Sequence, residues 1–161
     1  MRSKWSKWGL IGAMVAGGLG LVGVVGCGMG EGAPDGWRYV STGVVAVAYP
    51  KGWEGTRGGA VLRGVDGRAE AGVEVGGVGE GGVPAGARRE VLEIDGSRAQ
   101  VFSYARPTAD GRPAGHVEVR AVDRGGRPVV VRAWAVDGTA DDPSLLREIV
   151  NSIEFTPGLP R

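Results

Sequence analysis

From Trp37 onward, apolar and polar residues alternate with a period of two, the spacing that turns one side of an extended chain into a core. Residues 68–75 show it most cleanly: Ala69, Ala71, Val73 and Val75 fall on one side, Arg68, Glu70 and Glu74 on the other. The same pattern predicts strands over 37–41, 44–49, 60–63, 90–94, 97–105, 115–122 and 127–136. Turn chemistry separates them. Asp-Gly pairs begin at 35, 66, 95, 110 and 137, where Asp supplies a local acceptor and Gly a positive φ. Asp95-Gly96 joins two strands as a two-residue hairpin, and Asp123-Arg124-Gly125-Gly126 joins another pair. The period changes to that of a helix once in this region. Leu145, Leu146, Ile149, Val150 and Ile153 form one apolar stripe, with Asp142 as cap and Pro143 at the first helical position. Residues 153–155 then leave in extended form. The expected fold is α+β: an antiparallel sheet with a C-terminal helix packed on one face.

The first thirty residues follow a different rule. Arg2, Lys4 and Lys7 precede a stretch from Trp8 to Gly30 without any charge, and residues 9–26 are entirely Leu, Ile, Val, Ala, Met or Gly. A basic segment followed by an apolar one is the pattern of an export signal, expected as a signal helix ahead of the domain. The apolar run ends in Val24-Val25-Gly26-Cys27, with Gly28 next. This resembles the lipobox of bacterial lipoproteins, with an aliphatic residue three positions before the cysteine and a small one directly before it. The resemblance implies a diacylglyceryl group on the Cys27 thiol, cleavage between Gly26 and Cys27, and an acyl chain on the new N-terminus. Two other readings exist: a spanning anchor, weakened as a helix by nine glycines among its 23 uncharged residues, and a plain cleaved signal. The expected organisation is a signal peptide over 1–26, lipidated Cys27 with a flexible tether over 27–36, one domain over 37–156 and a tail over 157–161. The implied location is the extracellular face of the cell membrane, with the membrane itself as first partner.

Composition narrows the chemistry. The 161 residues hold 19 basic and 18 acidic side chains, and loss of 1–26 leaves 16 and 18, so no basic excess points to nucleic acid. One cysteine and one histidine exclude a disulfide framework and a cysteine-rich zinc site, and neither a metal nor a cofactor is expected. With 32 glycines, about one GxGxxG match is expected by chance. The match at Gly77–Gly82 runs into Val83-Pro84, so no helix N-terminus follows to receive a phosphate. His116 shares strand parity with Glu118 and Arg120 and reads as an exposed hairpin residue, or else as a base near Ser103 or an aspartate. Asp141-Asp142 suit a helix N-terminus. Trp134 and Arg132 lie on one strand face, opposite Val129, Val131, Ala133 and Ala135. Covered by the helix, the commoner arrangement, Trp134 is core; left in solvent, Trp134 and Arg132 are a candidate binding surface.

The order of the segments VAVAYPKGW, VLEIDGSRAQVFSY, GHVEVRAV, VVVRAWAV and PSLLREIVNSIEF, spanning most of 44–155, resembles the PsbP/LpqN-like domains of small actinobacterial lipoproteins. Tyr49-Pro50 with Gly52-Trp53, Asp95-Gly96 before Ala99, and Asn151-Ser152-Ile153 carry the likeness. It implies an antiparallel sheet with helices against it and an interaction or accessory role, without shared catalytic residues. The chain departs from the pattern between Trp53 and Ala60, where it shows no helix signal. The expected function is therefore a non-catalytic binding or accessory module at the cell envelope, with protein, glycan or lipid as partner. Alternatives are an envelope hydrolase whose acids converge only in the fold, and a carrier of a small apolar ligand held between sheet and helix.

Overall fold

The computed structural model describes residues 33–76, 82–139 and 144–155. Its elements are β1 (Trp37–Ser41), β2 (Val45–Pro50), β3 (Glu54–Thr56), β4 (Gly59–Arg63), β5 (Ala69–Gly76), β6 (Arg88–Ile94), β7 (Ser97–Ala105), β8 (Ala114–Val122), β9 (Pro128–Val136), α1 (Ser144–Asn151) and β10 (Glu154–Phe155). The architecture is α+β in the coarse sense, mostly antiparallel sheet with one short helix near the C-terminal end. Each strand expected between Trp37 and Val136 is present, its ends within two residues of the sequence boundaries. β3 was not anticipated. It is three exposed residues, Glu-Gly-Thr, too short for any periodicity, and it exists by pairing with β4.

The strands form two sheets. One has the order β1-β2-β10 and the other β3-β4-β5-β9-β8-β7-β6. The long sheet is built from adjacent hairpins, except that β9 inserts between β5 and β8. The glycines of all five Asp-Gly pairs take positive φ, between 72 and 84°, which side chains disfavour. At the β6–β7 turn Asp95 joins Gly96 in the left-handed region, with φ 48°, as a two-residue type I′ hairpin needs.

One face of the long sheet meets the short sheet and α1. Ala71, Val73 and Val75 of β5, Val101 of β7, Val119 of β8 and Val131 and Ala133 of β9 join Val45, Val47 and Tyr49 of β2, and Ile149, Val150, Ile153 and Phe155 close the cluster. Two polar ties fix these layers. The Ser152 hydroxyl accepts the Ala48 N–H at 2.9 Å and donates to the Ile149 carbonyl at 2.8 Å. The Phe155 N–H donates to Asp95 Oδ2 at 3.2 Å, holding β10 to the β6–β7 turn. The helical stripe is narrower than the sequence suggests: Ile149 and Val150 are buried, whereas Leu145 and Leu146 stay half-buried at the margin. The signal segment, Gly26, Cys27, most of the tether, residues 77–81 of the glycine motif, Asp141–Pro143 and the tail lie outside the described residues.

Candidate functional site

The other face of the long sheet carries the polar parity of β5, β8 and β9. Residues directly opposite in an antiparallel pair share a face. Trp134 on β9 stands between Gly72 on β5 and His116 on β8, and His116 in turn faces Tyr104 on β7. One row therefore crosses four strands: Gly72, Trp134, His116, Tyr104. The row beside it reads Glu74, Arg132, Glu118, Phe102.

The rings of the first row are near-parallel. Tyr104 and His116 have centroids 5.3 Å apart at an interplanar angle of 3°, and His116 and Trp134 are 6.5 Å apart at 26°. Gly72 gives the indole its place, because a Cβ there would sit 2.7 Å from Trp134 Nε1. Any side chain at 72 would push the ring off the sheet. His116 is half-buried rather than exposed, which corrects the hairpin reading. Its Nε2 lies 3.1 Å from the Arg106 carbonyl, and a carbonyl only accepts, so Nε2 carries the proton of the neutral ring. Burial holds the imidazole below its usual pKa of 6.5 and outweighs the opposing effect of that hydrogen bond. Burial, helped by the Glu118 charge, raises the Tyr104 phenol.

The second row is charged but tightly tied. Glu118 is 2% exposed, yet both its oxygens are occupied: Oε1 accepts Arg120 Nε at 2.6 Å and Oε2 accepts Arg132 Nε at 3.0 Å. Arg120 also lies 5.4 Å from the centroid of the Phe102 ring, within cation–π range. A carboxylate this deep is tolerated because two guanidinium groups share it. The remaining N–H donors of both arginines are free of that pair, and their side chains keep 36% and 30% of their exposure.

Trp134 and Arg132 thus sit together on one face, as their strand parity requires. The helix is on the other side: α1 packs on the face of Val119 and Val131, so Trp134 is not core but a half-buried ring on the face opposite α1. Ser103 and His116 do not meet. Ser103 pairs with Val117 on the core-facing side, and His116 points the opposite way. Among the described residues no three histidines, cysteines or acids gather to hold a metal ion, and no helix is long and apolar enough to cross a membrane. Gly72, Tyr104, Phe102 and the clamped Glu118 were not seen from sequence as parts of one surface. Parity places Phe102 and Tyr104 on one side of β7, but only the register across β5, β9, β8 and β7 brings them beside Trp134. Among known proteins, no family model and no curated protein matches this chain.

Proposed function

We propose that the chain is a lipid-anchored extracytoplasmic lipoprotein whose domain is a non-catalytic binding module, engaging a glycan of the cell envelope through its Trp134 face. The observation that carries the binding reading is the row of stacked, half-buried rings on the sheet face opposite α1. Because His116 is stacked between Tyr104 and Trp134, the row offers a sugar the ring edges and the outer rings, and guanidinium donors beside them receive hydroxyl oxygens. Arg120 and Arg132, held in place by Glu118, supply such donors at a fixed position. The neutral, preorganised strip needs no net charge on its ligand.

The anchor reading rests on the basic segment before residue 8, the uncharged run to Gly30 and the Gly26-Cys27 step. The order of motifs from 44 to 155 supports a PsbP/LpqN-like assignment for the domain, behind a signal helix. The intact mass of protein extracted from native membranes tests the anchor: residues 27–161 plus acyl groups are expected, and an unmodified chain beginning at Met1 contradicts it. Binding is tested by co-sedimentation of the full-length protein with cell-wall polysaccharide from its own envelope. Trp134→Ala and Gly72→Leu are each expected to weaken retention at least about tenfold, the loss of one stacked aromatic contact with its hydrogen-bonding neighbours. Undiminished retention in both variants contradicts the reading.

A further inference from the structure

The core-facing side of the long sheet is not completely roofed. α1 has eight residues and reaches only about 12 Å. It lies over β8 and β9, and the strip of sheet toward edge strand β6 stays open beside it. The result is a groove of about 670 Å³, within the size range of small-molecule sites. Val101, Val117, Leu146 and Val150 give it an apolar lining, and Gly115 and Ser103 leave room where larger residues would fill the space. The Arg147 guanidinium crosses its side and donates to Glu90 Oε1 at 2.7 Å, tying helix to edge strand.

The polar groups at one end converge. Arg88 on β6 stands directly opposite Ser103 on β7, on the groove side of the sheet. Neither side chain has a hydrogen bond or ion pair among the described residues, whereas Glu90 and Arg147 neutralise each other. Asp137, the remaining acid of the lining, lies beyond β9, three strand spacings or roughly 14 Å from β6. One unneutralised guanidinium and one free hydroxyl therefore stand on directly paired residues beside an apolar trough.

We propose that this groove binds a single-chain aliphatic carboxylate, a ligand of the fatty-acid class. The chain lies on the partly exposed Val117, Ala135 and Leu146, beside Gly115, and the carboxylate takes charge-assisted hydrogen bonds from Arg88 and a further one from the Ser103 hydroxyl. The strand parity of the residues that hold the chain is opposite to that of Trp134, while Tyr104 and His116 border both the groove and the Trp134 strip. No covalent step is involved.

The test uses the full-length protein in its native membranes and a photoactivatable diazirine dodecanoate, with the methyl ester of the same chain as comparison. Irradiation followed by peptide mapping is expected to place the label on segments 97–105, 114–122 or 144–151, with the acid labelling about tenfold more than the ester. Arg88→Ala is expected to remove most of that preference. Gly115→Val is expected to abolish labelling by filling the floor. Gly115→Ala keeps the fold intact, because a Cβ at 115 meets only Leu146 Cδ1, at an ordinary 3.8 Å. Equal labelling by acid and ester, labelling elsewhere in the chain, or labelling undiminished in Arg88→Ala overturns the proposal. Arg88 is exposed on an edge strand, so its variant decides the matter even if Gly115→Val does not fold.

Discussion

The two faces of the long sheet are made by the same strands and differ at every alternate residue. On the inner face Val73, Val101, Val119 and Val131 meet a second sheet and a helix, and what matters is volume. On the outer face, opposite α1, Trp134, His116, Tyr104, Phe102, Arg120 and Arg132 are held by ring stacking, by a glycine berth and by a buried carboxylate. Rigidity on a covered face serves stability. The same rigidity on an open face serves recognition, because side chains already fixed lose little entropy on binding. Among the described residues the inner face is open beside α1, where a partly exposed floor of Val117, Ala135 and Leu146 lies next to the Arg88 cation.

That contrast can be broken at its strongest point first. Ile149 is 0% exposed on the inner face, so Ile149→Asp is expected to destabilise by more than about 4 kcal/mol and leave no cooperative thermal transition. Leu146→Asp, one turn earlier and only half-buried at the groove margin, should cost about 1–2 kcal/mol and retain a transition. If both melt alike, the helix covers more of the sheet than described. Next in size is the outer face: removing both Arg120 and Arg132 strands the Glu118 carboxylate, and denaturant titration should show a loss of about 3–5 kcal/mol. The triple variant that also carries Glu118→Leu should recover most of it.

The smallest effects are those of pH. Burial lowers the His116 pKa in the folded chain, so between 6.5 and that lower value the unfolded chain binds more protons. Stability is therefore expected to fall as pH drops below 6.5, and His116→Gln should flatten this part of the profile. A second decline follows at more acid pH. Backbone donation from Arg127 foremost, with the Arg127 side chain and the Gly125 N–H, holds the Asp123 carboxyl below 3.8, so its contribution is complete above that pH and is lost as pH falls through the lower folded value.

Local chemistry made much of the fold legible. Alternation marked the strands, and each Asp-Gly pair marked a turn whose glycine needs positive φ. Parity also put Trp134 beside Arg132. It could not say which face the helix would choose, because both faces of β9 carry large side chains: Val131 on one, Trp134 on the other. That choice is made by Ile149, Val150, Ile153 and Phe155 meeting β2, a contact between distant segments. The insertion of β9 between β5 and β8 is likewise non-local, and it alone sets Trp134 over Gly72. β3 left no trace in sequence, being three residues whose strand geometry comes from pairing with β4. The Asp95-Gly96 turn fixed the β6–β7 register, but Arg88 falls two residues before the strand read over 90–94, and the space beside it depends on how short α1 is.

The most direct measurement is hydroxyl-radical footprinting of the full-length protein with and without its own cell-wall polysaccharide, read by mass spectrometry at each aromatic residue. Trp134, Tyr104 and His116 are expected to be oxidised in the free protein and protected at least about fivefold in the presence of the glycan, at the tenfold-saturating level where most sites are filled. Trp53, 5% exposed within the core, should not change. Equal oxidation of Trp134 and Tyr104 with and without the polysaccharide contradicts the assignment of the outer face as the binding surface.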